Sequence, residues 1–79
     1  MSTLDAQTWL ADHGDYLFRV ARRQLHSDEQ AEDAVQETLL AAIVAQARYA
    51  GDASPRTWLT GILKHKIVDL IRKQLREVA

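Results

Sequence analysis

Ala31-Glu32-Asp33-Ala34-Val35-Gln36-Glu37-Thr38-Leu39-Leu40-Ala41-Ala42-Ile43-Val44 is the stretch on which the fold turns. No proline or glycine interrupts it, and its apolar residues recur at three and four, the period of a helix rather than the alternation of a strand. At about 100° per residue, Ala31, Val35, Leu39, Ala42 and Ile43 gather on one side and are expected to make the core. Just upstream, Ser27 followed three residues later by Gln30 resembles a capping box. Asp28 and Glu29 suit the positive end of the helix dipole. A helix over 28–49 follows.

Two further helical blocks flank it. In residues 4–25, Trp9, Leu10, Leu17, Val20 and Ala21 share a face, with Tyr16 at its edge. Gly14 is expected to kink this block, or to divide it with Asp15 capping the second piece. On the other side, Gly51-Asp52-Ala53-Ser54-Pro55 is the clearest break in the chain. Ser54 reads as an N-cap and Pro55 as the first position of a third helix running to about residue 75. Trp58, Leu59, Ile62, Leu63, Ile67 and Leu70 fill its inner face, and the Trp58 ring is expected to be largely buried. The reading is all-α: a compact three- to four-helix bundle, one domain over 1–79.

Composition narrows the class. The chain has 79 residues, 47% hydrophobic and 27% charged, which suits one small globular domain and not a disordered tail. Without cysteine there is no disulfide or thiolate metal site, so apolar packing must hold the fold alone. His13, His26 and His65 are far apart and have no second ligand at a metal-binding spacing; no metal site is expected. The longest apolar run, residues 39–45, is too short to span a bilayer, and the N-terminus lacks a signal-peptide pattern. A cytoplasmic protein without membrane insertion is expected. Neither a Gly-rich phosphate loop nor a nucleophile elbow occurs, and Asp33 and Glu37 have no basic or histidine partner. An enzyme is not expected, nor a cofactor.

Charge and helical faces suggest what the domain meets. Residues 1–54 hold four arginines against nine acids, a balance of −5, whereas residues 55–79 hold six bases against two acids, a balance of +4. Such polarity suits an anionic partner at one end and a different partner at the other. On the second helix, Asp33, Glu37, Leu40 and Val44 lie opposite the core, with Gln36 at the flank. This is either more core, if a central helix is covered on several sides, or a docking face with an apolar centre and a polar rim. On the third helix, Gly61, Lys64, His65, Val68, Arg72 and, at the edge, Arg76 share a face. It is either a solvated basic surface or one suited to a phosphate backbone, with Gly61 permitting close approach. The connection between Arg48 and Arg56, with Tyr49, Asp52 and Ser54, is either a plain turn and N-cap or a holder for an unstacked base.

Read together, these segments resemble a known family. Residues 31–40 are similar to the core-polymerase-binding signature of bacterial sigma factors. Residues 48–59, with Ile62 and the ending Asp69-Leu70-Ile71-Arg72-Lys73, are similar to the promoter-reading part. The compact spacing resembles the extracytoplasmic-function (ECF) group, over nearly the whole chain from Trp9 to Arg76. The resemblance implies that Asp33, Gln36, Glu37 and Leu40, with Val44 beside them, dock on a coiled coil of the largest subunit of core RNA polymerase. It implies that the loop with Arg48, Tyr49, Asp52, Ser54 and Arg56 captures a base flipped from the non-template strand of the −10 promoter element. The third helix, through Gly61, Lys64, His65 and Arg72, would lie against that strand and the upstream duplex edge. An anti-sigma factor is a further implied partner. Many members carry Asn where this chain has His65. Housekeeping members carry a Trp pair where it has Trp58-Leu59, so one stacking ring is missing here. The family's second domain, a helix-turn-helix reading the −35 element, has no counterpart in these residues, so the chain is expected to be an N-terminal domain. The rival expectation is a stand-alone helical interaction domain that binds a protein and no nucleic acid.

Overall fold

The structure is a computed structural model that describes residues 6–49, 51 and 53–78. Its elements follow the expected punctuation: α1 (Ala6–Leu25), α2 (Asp28–Ala45), a 3-10 turn (Gln46–Arg48) and α3 (Pro55–Val78). Among the described residues there is no strand, and each helix packs against the other two. Asp52, in the break before α3, lies outside the described residues.

The helix ends are set by local chemistry. His26 has φ 58°, and its N–H donates to the Arg22 carbonyl at 3.0 Å, a left-handed residue closing α1. Ser27 is extended, and its Oγ accepts the Gln30 N–H at 3.3 Å, which caps α2. Arg22 Nε reaches across this turn to Asp28 Oδ1 at 2.7 Å; both side chains are largely exposed, so the pair adds little stability. At α3, Ser54 Oγ accepts the Thr57 N–H at 3.2 Å, and Pro55 opens the first turn as expected. The helix continues three residues past the expected end.

Helix α1 runs on through Gly14 as one helix and is not divided there. Gly14 is buried, and a Cβ built on it would lie 2.9 Å from Leu10 Cδ1, so the Leu10 side chain covers it. Leu10 itself is 55% exposed rather than core. Its end is flexible and can swing outward. Gly14→Ala is therefore expected to gain most of the roughly 1 kcal/mol of helix propensity that glycine forfeits. Urea denaturation would show the gain as a higher midpoint; a lower midpoint would mean that Leu10 cannot yield.

The core comprises Trp9, Leu17, Ala21 and Leu25 of α1, Ala31, Ala34, Val35, Leu39 and Ala42 of α2, and Leu59, Leu63 and Ile67 of α3. Alanines on α2 let it sit close to both neighbours. Thr38 is fully buried among them because its hydroxyl donates to the Ala34 carbonyl at 2.7 Å, which satisfies it within the helix. Two expectations need correction. Ile43 is 40% exposed, because it stands about 60° round the helix from outward-facing Leu40. Trp58 is only half-buried, since it sits at the open end of α3; the indole the fold encloses is Trp9, at 2% exposure. Trp58 is the middle ring of three. Tyr49 stacks on it at 4.6 Å and 18°, and it meets Trp9 edge-on at 5.6 Å and 73°.

Candidate functional site

Two surfaces emerge, on different helices. On α2, Asp33, Gln36, Glu37, Leu40 and Val44 are all exposed. Leu40 is 63% and Val44 84% exposed, so neither belongs to the core, and Ile43 extends their patch. The two flanks differ. Gln36 borders a depression with Leu10, Asp15, Phe18 and Glu32 of α1 and α2, whereas Asp33 faces Leu70, Lys73 and Glu77 of α3. An apolar centre with acids and an amide around it has the make-up of a protein-docking surface.

The second surface lies where α1 meets the start of α3. Ser54, Arg56, Gly61 and Lys64 line one groove, together with Tyr16, Thr57 and Thr60. Thr60 Oγ1 donates to the Arg56 carbonyl at 2.6 Å, and Ser54 Oγ to Thr57 Oγ1 at 3.0 Å. His65 and Arg72 are exposed on α3 outside this lining, and Arg72, eight residues beyond Lys64, stands about 12 Å further along. Arg48 is exposed at the end of the 3-10 turn.

The loop between them is tied down at Tyr49. One face of its ring lies on Trp58, and its hydroxyl donates to the Ala53 carbonyl. A base resting on Tyr49 would have to use the other face. Gly51 has φ 81°, a left-handed conformation that glycine takes without steric cost.

Arg56 is not a free cation. Its Nε donates to His13 Nδ1 at 3.3 Å and its Nη2 to the Asp12 carbonyl at 3.2 Å, and its guanidinium carbon lies 4.6 Å from the centre of the Tyr16 ring. Sequence reasoning placed Tyr16 only at a helix edge and missed His13, Thr57 and Thr60. A signal existed: a cation in the first turn of a helix opposes the dipole and needs a partner elsewhere.

Among the described residues, no helix is long and apolar enough to cross a membrane, and no group of His, Cys, Asp and Glu could hold a metal ion.

Comparison with known proteins places the chain in a family context. The family profile described as Sigma-70 region 2 matches residues 9–77. A Haemophilus influenzae protein named "Probable RNA polymerase sigma factor" is 38% identical over 58 residues, 73% of this chain and 30% of that protein. The "ECF RNA polymerase sigma factor SigC" of Mycobacterium tuberculosis is 48% identical over 42 residues, 53% of this chain and 23% of its own. A "Probable RNA polymerase sigma-C factor" of Mycobacterium bovis matches to the same extent. The chain thus spans less than a third of the length of these relatives. No solved structure gives a significant match.

Proposed function

The chain belongs to the sigma-70 region 2 family, and from this premise we propose that it directs transcription initiation by binding core RNA polymerase and the −10 promoter element. The family is not one of enzymes, and no catalytic residue is assigned. In this reading Asp33, Gln36, Glu37, Leu40 and Val44 dock on a coiled coil of the polymerase's largest subunit. Arg48, Tyr49, Asp52 and Ser54 receive a base flipped from the non-template strand. Arg56, Gly61, Lys64, His65 and Arg72 run along that strand and its phosphates. Flipping costs a few kcal/mol of unstacking, which a loop that holds the base recovers, so reading and melting become one event. The likeness to SigC supports placement in the ECF group, where an anti-sigma factor is a further partner.

The observation that carries docking is the exposure of Leu40 and Val44 on a helix whose other side is fully packed. For the strand, support comes from Gly61. It lies in mid-helix with nothing among the described residues within 4 Å of a built Cβ, so their packing does not require a glycine there. Its cost, about 1 kcal/mol against alanine, is explained by a ligand that comes close.

Gly61→Leu is accordingly expected to stabilise the fold and to weaken binding of a single-stranded −10 oligonucleotide by about tenfold, since a bulky side chain is placed against the strand. Fluorescence anisotropy at low salt, paired with thermal melting, checks both halves. Unchanged strand affinity would mean that nothing approaches α3 at this point.

A further inference from the structure

Arg56 is the second residue of α3, where the helix dipole disfavours a cation. What holds it there is α1: the His13 ring nitrogen, the Asp12 carbonyl and the face of Tyr16. A guanidinium carries five N–H donors. Two are engaged on α1, which leaves three for a ligand, and Arg56 lines a groove with Ser54, Thr57 and Lys64.

We infer that His13 is a positioning residue for strand binding: it accepts the Arg56 Nε–H at Nδ1 and fixes the guanidinium as part of the groove wall. This rests on the reading of Arg56 as a phosphate contact. Accepting at Nδ1 requires the tautomer that carries its proton on Nε2. The three contacts divide the work. The Tyr16 face sets the height of the guanidinium and the Asp12 carbonyl takes one terminal nitrogen. His13 takes Nε, which orients the plane. An arginine held in this way before the strand arrives has less side-chain freedom to lose on binding.

The test is a cycle of variants read by anisotropy of a −10 single strand at pH 8. His13→Ala is expected to weaken binding by about three- to tenfold, the usual penalty for ordering one long side chain. His13→Asn, whose Oδ1 takes the place of Nδ1, should restore affinity to within about twofold of wild type. The salt slope should stay constant in both, because no charge is removed. In an Arg56→Ala background, His13→Ala should have no further effect. If Arg56→Ala alone binds as wild type does, Arg56 does not meet the strand and the underlying reading fails. If Arg56→Ala weakens binding but His13→Ala does not, or does so equally without Arg56, the positioning role is overturned while the strand reading stands. Nitrogen NMR of the free chain tests the contact without DNA: an Nε2–H tautomer at His13 is expected, and an Nδ1–H tautomer would overturn the inference.

Discussion

Leu40→Asp is expected to reduce binding to core RNA polymerase by at least about 30-fold, the effect of losing one central interface anchor. Helicity and melting temperature should stay close to wild type. Leu40 is 63% exposed in the free chain, so a carboxylate there remains solvated and costs the fold little. In a complex the same position would be the apolar centre of the α2 face, where an unpaired charge would be stripped of water. Adjacent Leu39, 8% exposed, provides the control: Leu39→Asp should unfold the chain. Circular dichroism and polymerase titration of both variants check the pair. Unfolding by Leu40→Asp would place that side chain in the core, and unchanged affinity would move docking off the outer face of α2.

Trp9→Ala is expected to cost about 3–5 kcal/mol, comparable with the whole stability of a domain this small. Trp9 is the largest fully enclosed side chain, packed among core residues and edge-on to Trp58. Its indole N–H is buried with no acceptor among the described residues, so the ring stabilises through burial and aromatic contact rather than hydrogen bonding. The loss also undercuts the stack of Trp58 on Tyr49, and through it the loop that precedes α3. Urea denaturation should find the variant mostly unfolded in water. A loss below about 1 kcal/mol would mean that the rings do not anchor the two helices, as a buried Trp→Ala change otherwise costs several times more.

The elements were legible because each is bounded by its own chemistry: Ser27 before α2, Ser54-Pro55 before α3, and helical periodicity between. The outer face of α2 was visible only as two alternatives, since periodicity says which residues share a face and not whether a third element covers it. Leu40 and Val44 proved exposed because α1 and α3 both pack on the opposite side. Ile43 misled for a related reason: its type is that of a core residue, but its angle puts it beside Leu40. Gly14 invited a break that did not occur, because a glycine between well-formed turns weakens a helix without ending it. The Arg56 contact joins residues 43 and 44 positions apart, and no local pattern reports such a pair. The residues alone left open which partners the two surfaces meet, and the partners proposed above rest on the family resemblance.

In the proposed function one small domain holds polymerase with α2 and a promoter strand with the groove between α1 and α3. This is tested most directly by anisotropy of a labelled −10 non-template strand, varied one base at a time, with core polymerase in the presence and absence of the chain. The expected result is weak binding by the chain alone, measurable at low salt, tight binding by chain and polymerase together, and a loss on changing one particular base that disappears when residues 50–54 are replaced by Gly and Ser. Binding by polymerase and chain together that is no stronger than by polymerase alone would rule out strand binding by the chain and favour a domain that binds protein only.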